Sequence, residues 1–518
     1  MRLEVFIEAH ALRRPDHPAV ICGGERLTYG QLQARITALA GAMSARGVRP
    51  GDRVLLYLSN GTAFVELTFA ALSLGAIVVP ATTRLTDTEV AYIAADAEPR
   101  LVAHDGAGTG LDLVRRAAEG AIFLSAGAAT GGDERLEDWR AEPVMLRPDV
   151  PVEWLDAMIM YTSGTTGRPK GALLTHANII TNHHFVNGLE WGLAADDVFL
   201  VSTPLAHRTG FARLANALTV GGTLVVMEKF DPAATLDIIA REKVSVAGMV
   251  PTICRMMLPA IAAAPHKCAS LRRIVVTGEA FPVELKQQLI GLLPHVRLFS
   301  FFAMTEAGAI TGLDHEEQFT HPASVGRPTP GVEVKLVDAE GAHVPDGEVG
   351  EIAVRTGAPG QSLTLRGYFR RPKETAETIR DGWVHTGDMA RRDADGFLYI
   401  VDRKKDMVLS GGFNIYTKEV EQTLIAHPSV ADAAVVGIPD AIYGEAVVAF
   451  VEPRAGQEPS EEALIAHCRT LIAGYKKPKR VLFVEQLPRN ALGKVLKTEL
   501  RRQAVERCGA PGTGKAAS

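Results

Sequence analysis

Between residues 155 and 310, short apolar runs rich in Val, Ile, Leu and Phe alternate with stretches of helical periodicity. Residues 157–162, 198–203, 223–227, 244–250, 273–277 and 296–302 read as strands. Between them, 231–243 places Leu236, Ile239 and Ala240 on one helical face, and 282–293 does the same with Leu285, Leu289 and Leu292. Strand, helix, strand repeated in this way predicts a doubly wound α/β core, and such cores bind ligands at the C-terminal ends of their strands.

After about residue 325 the texture changes. Residues 347–355 and 395–401 read as antiparallel strands with glycine turns, hence a smaller β subdomain. Beyond the charged segment DRKKD at 402–406, a compact α+β unit follows, with helices at 417–427 and 461–472 and strands at 430–438 and 446–451. The expected organisation is a large domain over 1–402, a small domain over 403–508 and a flexible tail over 509–518. A chain of 518 residues is long enough for that division.

Composition narrows the function classes. The 55 basic and 60 acidic residues give a net charge of −5, so no global field recruits nucleic acid or an anionic membrane. The basic run YKKPKR at 475–480 is interrupted by proline; a solvated turn is its default reading and contact with an anionic cosubstrate the alternative. The five cysteines are scattered, with no C-x-x-C pair, and read as reduced cytoplasmic thiols. The greasiest stretch, 63–80, contains Glu66 and Gly75 and predicts a buried helix running into a strand, with no stable membrane insertion. The N-terminus does not resemble a signal peptide. The sequence is compatible with a monomer or a homodimer.

The segment YTSGTTGRPKG at 161–171 packs glycines, hydroxyls and a lysine after an apolar strand and before a predicted helix near residue 175. A strand-to-helix turn there would offer backbone N–H groups, the hydroxyls of Thr162, Ser163, Thr165 and Thr166, and the Lys170 ammonium to an anion. On composition alone a polar surface loop fits equally well. A second glycine-rich run, GAPGTGKA at 509–516, nearly matches a phosphate loop, but Ala516 replaces the metal-binding hydroxyl and the strand and helix context is missing.

The full pattern of 161–171 resembles the signature loop of the adenylate-forming superfamily, which holds acyl- and aryl-CoA synthetases, adenylation domains of peptide synthetases and beetle luciferases. FAMTE (302–306), GWVHTGD (382–388), DRKKD (402–406) followed by SGGFN (410–414), and PRNALGK (488–494) stand in that family's order. The resemblance runs from Tyr29 to Lys494 and implies a large AMP-binding domain with a small mobile one. It implies that Thr162, Ser163, Gly164, Thr165, Thr166, Gly167 and Lys170 meet the departing phosphates of ATP. Gly278, Glu279 and Ala280 would edge the adenine and Phe302 would stack on it, with Ala303 and Met304 alongside. Thr305 would touch the α-phosphate and Glu306 would hold Mg²⁺. Asp388 and Arg403 would take the ribose. Lys494 would bridge the acid and the α-phosphate, and Lys405 would serve as hinge for the loop Ser410, Gly411, Gly412 and Phe413, which the thiol step uses.

The same resemblance places His207, Val250, Ala303 and Gly308 in the acid pocket. Ala303 stands where the family commonly has glycine, and its extra methyl narrows the space for long unbranched chains. The compact, apolar lining favours an aromatic, alicyclic or short- to medium-chain acid over an amino acid, whose ammonium would need a carboxylate partner. Arg208 has two readings: a partner for a second carboxylate on the substrate, or, more ordinarily, a solvent-facing arginine. The implied reaction is ATP-dependent acid–CoA ligation with ATP, Mg²⁺ and coenzyme A. Loading of a carrier protein is the alternative acceptor chemistry. A non-catalytic sensor would be free to lose Lys170, Glu306, Asp388 or Lys494, and all four are present.

Overall fold

Six strands lie parallel and adjacent: Pro18–Cys22, Thr223–Val226, Val198–Val201, Val246–Met249, Arg273–Val276 and Arg297–Met304. Antiparallel strands Glu25–Thr28 on one side, and Gly308–Leu313 with Arg327–Pro328 on the other, complete a nine-stranded sheet. The computed structural model describes residues 1–108, 110–127, 132–141, 156–162, 169–278, 281–489 and 495–508. They fall into two compact units, Met1–Lys335 with Ala353–Thr386 and Gly396–Leu398, and Leu336–Ile352 with Gly387–Asp395 and Tyr399–Ser518.

Parallel neighbours need a crossover, and the crossovers are the expected helices. Helix Pro232–Glu242 starts because Asp231 accepts a hydrogen bond from the Ala234 N–H at 2.8 Å and Pro232 occupies the first turn. It buries Thr235, Leu236 and Ile239, while Ala240, expected on that face, is exposed close to the helix end. Helix Val283–Leu292 buries Leu285 and Leu289. These side chains pack with Leu200, Val225, Ala247, Ile274 and Leu298 from the sheet.

The first unit has a second sheet of eight strands, with Ile77–Ala81, Arg53–Tyr57, Leu101–His104 and Ile122–Ser125 parallel near its middle. The apolar stretch at 63–80 is helix Thr62–Ser73 leading into strand Ile77–Ala81, as expected. Its one acid, Glu66, is fully buried and ion-paired to Arg35 at 2.8 Å and Arg140 at 2.7 Å. That pairing offsets the cost of desolvating a carboxylate inside an apolar helix. Among the described residues no helix is long and apolar enough to cross a membrane.

In the second unit, helix Thr417–Ile425, strands Val430–Asp440 and Gly444–Pro453 and helix Glu461–Leu471 follow as read from sequence. Strand Arg480–Phe483 pairs parallel to Gly444–Pro453. All five cysteines are free thiols.

His176 opens the short helix His176–Ile180 and is buried, its Nδ1 accepting from the Leu3 N–H at 2.9 Å. Burial, with the nearby charge of Arg2, lowers its imidazole from 6.5 to about 3. The unfolded chain therefore takes up the proton first as pH falls, so stability is lost from about pH 6.5 down to about pH 3. Each pH unit in that window costs about 1.4 kcal/mol for this group. His176→Gln keeps an acceptor for Leu3 and should flatten the acid limb of a denaturant-stability profile between pH 6.5 and 5 by about that slope. Parallel acid limbs in the two proteins would refute the assignment.

Candidate active site

Strand Asp156–Thr162 runs antiparallel to strand Lys170–Thr175, with Thr162 opposite Lys170, and helix His176–Ile180 begins only after that second strand. The expected strand-to-helix turn is therefore a hairpin. Pairing with the preceding strand on one side and with Gly367–Tyr368 on the other holds 170–175 extended. The first residue able to cap a helix is Thr175, whose hydroxyl accepts from the Asn178 N–H at 3.2 Å. Ser163, Gly164, Thr165, Thr166 and Gly167 lie outside the described residues, as do Glu279, Ala280, Lys494 and the tail 509–518.

Both ends of the hairpin are pinned. Tyr161 donates to Asp96 at 2.7 Å, and Asp96 is ion-paired to Arg371. Tyr92 donates to the Pro169 carbonyl at 3.1 Å. Gly171 sits so tightly over the facing strand that a Cβ there would lie 2.5 Å from Ile159 Cγ2, which excludes any larger residue.

Glu306 lies in the turn between strands Arg297–Met304 and Gly308–Leu313 and is buried, with 7% of its surface exposed. Its Oε1 accepts from the Thr162 hydroxyl at 3.2 Å and from the Tyr368 phenol at 2.9 Å. Its backbone carbonyl accepts from the Leu365 N–H at 2.8 Å. Burial and the Glu306 charge hold the Tyr368 phenol well above its usual range, so Tyr368 remains a donor. The Lys170 ammonium stands 5.0 Å from the centre of the Tyr368 ring, a cation–π distance. Both donors bind Oε1, and a carboxylate beside a hydroxyl is a hard donor set of the kind that suits Mg²⁺ held mainly by phosphates. No larger cluster of acidic, histidine or cysteine ligands occurs among the described residues.

The expected acid-pocket residues share one edge of the nine-stranded sheet. Ala303 is the penultimate residue of strand Arg297–Met304, while Gly278 and Val250 follow the next two strands; a Cβ on Gly278 would sit 3.4 Å from Val250 Cγ1. His207 follows the fourth neighbour, Val198–Val201, and caps helix Arg208–Val220, its Nδ1 lying 2.6 Å from Thr209 Oγ1. Phe302, Met304 and Thr305 lie half-buried at the same edge, and Gly308 opens the returning strand. Arg208 departs from its more ordinary reading. Both terminal nitrogens are buried, and among the described residues neither has a hydrogen-bond partner.

In the second unit, buried Asp388 is ion-paired to Arg403 at 3.0 Å. Gly387 and Lys404 are tied to each other, the Lys404 N–H donating to the Gly387 carbonyl at 2.8 Å, and both contact Glu351. Burial lowers the Lys405 ammonium below its ordinary value. Ser410 pairs with Phe413 across a two-residue hairpin whose central glycines have φ of 60° and 82°, a left-handed pair that selects Gly411 and Gly412. Phe413 is exposed and stacks on Tyr475 at 4.7 Å. Arg489 and Val495, which flank 490–494, are bridged.

Sequence reasoning missed Tyr368. It sits in an unremarkable GYFRR segment, and only the pairing of strand Gly367–Tyr368 with Lys170–Thr175 brings its hydroxyl to Glu306. Likewise, nothing in the sequence joins Asp96 to Tyr161 and Arg371.

The sequence profile of the AMP-binding enzyme family matches residues 7–369, and that of the AMP-binding enzyme C-terminal domain matches 419–494. The chain belongs to the AMP-binding enzyme family. Feruloyl-CoA synthase of an Amycolatopsis species is 39% identical over 498 residues, covering 94% of this chain and 96% of that one. The fatty acid–[acyl-carrier-protein] ligase ScoC of Streptomyces coeruleorubidus is 34% identical, covering 95% and 94%. The fold matches ATP-bound MatB from Rhodopseudomonas palustris with a TM-score of 0.88 and 30% identity, over 98% of this chain and all of that one. The AMP-binding enzyme described here is of the acyl- and aryl-CoA synthetase type within that family.

Each hydrogen bond to the Glu306 carboxylate is charge-assisted and worth about 1.5–3 kcal/mol. Tyr368→Phe should therefore slow acid-dependent ATP–pyrophosphate exchange by roughly 10- to 100-fold. Thr162→Val should do the same, and the double variant should lose less than the product of the two, because both donors share Oε1. Full multiplicativity in exchange assays would separate the two residues.

Proposed function

We propose that this enzyme activates a carboxylic acid with ATP and passes the acyl group to coenzyme A. The acid's carboxylate attacks the α-phosphorus, the bond to the β-phosphate oxygen breaks, and pyrophosphate leaves, giving an acyl-adenylate. The thiol then attacks the acyl carbon, AMP leaves and the thiol proton passes to solvent. The observation that carries this reading is the convergence of Thr162 and Tyr368 on Glu306 beside the pinned hairpin. Hydroxyls, a carboxylate and Lys170 lie close together there, a set of groups that supports polyphosphate binding.

In this reading Lys170 and the loop 163–167 hold the departing phosphates. Thr305 meets the α-phosphate at the turn, and Glu306, whose Oε1 receives two donors, offers its carboxylate to Mg²⁺. When bound, that ion neutralises charge on the phosphate oxygens. Gly278, Glu279, Ala280 and Phe302 frame the adenine, and Asp388 with Arg403 takes the ribose. Lys494 brings a desolvated cation between two approaching anions. Lys405 is the hinge at which the small domain, residues 403–508, alternates between the two half-reactions and presents Ser410 to Phe413 to the thiol step. His207, Val250, Ala303 and Gly308 line the acid. Scattered free thiols suit a reducing cytoplasm.

Purified protein with Mg·ATP, coenzyme A and a panel of benzoates, cinnamates, alicyclic acids, fatty acids and amino acids should release pyrophosphate and yield acyl-CoA by mass spectrometry. Acyl-AMP that accumulates whether or not coenzyme A is present would instead favour a carrier protein as acceptor. Lys494→Ala should lower adenylation at least 1,000-fold, on the order of 4 kcal/mol of barrier, and spare thioester formation from supplied acyl-adenylate. Equal loss of both half-reactions in a folded variant would count against this division of labour.

A further inference from the structure

Two arginines with buried guanidinium nitrogens remain that the adenylation chemistry does not use. Arg208 opens helix Arg208–Val220, and Arg213 lies one turn further along it. Both Nη atoms of Arg208 and Nη1 of Arg213 are buried without a hydrogen-bond partner among the described residues. Arg213 has an aromatic face to rest on, its guanidinium standing 4.8 Å from the centre of the Trp191 ring. Arg208 has no such support, and among the described residues neither arginine forms an ion pair. Burial lowers Arg208 to about 10 and Arg213 to about 9, so both stay charged at neutral pH.

Among the described residues, the neighbours offer these arginines no ion-pair partner. His183 is fully buried against both arginines, whose charges and the burial hold its imidazole far below the ordinary value, so it is neutral. It sits in a π-helical turn, Thr181–Val186, which is tied to helix Arg208–Val220 by the Asn216 amide donating to the His183 carbonyl at 2.6 Å. The same turn is tied to strand Gly308–Leu313 by the Ala309 N–H donating to Asn182 Oδ1 at 3.2 Å. The carboxylate whose charge reaches Arg208 is Glu306, and its Oε1 already receives Thr162 and Tyr368. A buried guanidinium without a fixed partner is costly, and an anionic ligand that completes its fork removes the cost.

Place in the fold says which anion. Arg208 follows strand Val198–Val201, three strand positions from Arg297–Met304, the strand that leads to Glu306. The two strands that lead to Gly278 and Val250 stand between them along the sheet edge, room at ~4.8 Å per position for the compact body of an acid. A first-turn arginine also adds to the positive end of its helix. We propose that Arg208 is a specificity residue that pairs with a second carboxylate at the far end of the substrate, so that the preferred acids are dicarboxylic, with a compact apolar body between the two carboxylates. This rests on the acid–CoA ligase reading for the reacting carboxylate only.

The test pairs acids that differ by one carboxylate: octanoate with octanedioate, cyclohexanecarboxylate with its 1,4-dicarboxylate, and benzoate with terephthalate. Wild-type protein should favour at least one diacid over its monoacid by 100-fold or more in kcat/KM for acyl-CoA formation. Arg208→Met should reduce that ratio at least 100-fold, and Arg208→Lys should restore part of it. Arg208→Met should also melt at a higher temperature without ligand, since it removes an uncompensated charge. Calorimetry of the same diacids without ATP isolates the subsite from the chemistry. Diacid binding that Arg208→Met abolishes, with no acyl-CoA formed, would uphold the subsite and sink the ligase reading. A wild-type enzyme that makes acyl-CoA but binds and turns over monoacids as well as diacids would overturn the subsite and leave the ligase standing. A change confined to the KM for ATP, with the diacid ratio unmoved, would also overturn it by assigning Arg208 to phosphate.

Discussion

Parallel strand pairing is the constraint from which the rest of this molecule follows. Six parallel strands cannot be joined by tight turns, so each return passes through a helix on a face of the sheet, and every strand then delivers its next loop to the same edge. His207, Val250, Gly278 and Ala303 come from segments spread over nearly a hundred residues yet share that edge because the strands before them are neighbours. The chemistry of the edge is then set by a few side chains. Glu306 reaches out of the turn that closes the last parallel strand, and its donors come from the other sheet of the same unit.

Charge inside the protein follows one rule, and Arg208 and Arg213 are the departure from it. Glu66 is answered by two arginines, and Asp197 accepts from Ser245 at 2.7 Å and pairs with Arg272 at 2.6 Å. Lys286, which burial lowers to about 8, donates to the Pro322 carbonyl at 2.8 Å. Each of these groups is satisfied within the fold, as buried polar groups usually are. Among the described residues, the Arg208 guanidinium lacks such a partner and is conspicuous for that reason, at the edge where the acid is proposed to lie.

Local patterns carried much of this fold in advance. Helix Pro232–Glu242 was legible because proline and an aspartate cap begin it and a periodic apolar face runs along it, and the central strands because their runs are short and β-branched. What the sequence hid was non-local. Residues 170–175 contain nothing that forbids a helix, and they are extended because the preceding strand pairs with them. Ala240 fits the helical period yet is exposed to solvent. The motifs 161–171 and 302–306 announced the site, but the meeting of Thr162, Glu306 and Tyr368 is a product of sheet order, and the burial of Arg208 depends on how a π-helical turn packs on its helix.

A hairpin in place of a helix start has a consequence for how the enzyme lets go of its first product. A helix N-terminus carries about half a unit of positive charge that cannot be switched off. Lys170 pairs with Thr162 in a strand ladder and starts no helix, so in the proposed reading its contribution to holding an anion comes from side-chain contacts, with one ammonium on a flexible stem. Those contacts are individually weak and are screened by salt. Such a grip can position a leaving group while the bond breaks and then release it, which favours turnover over product inhibition.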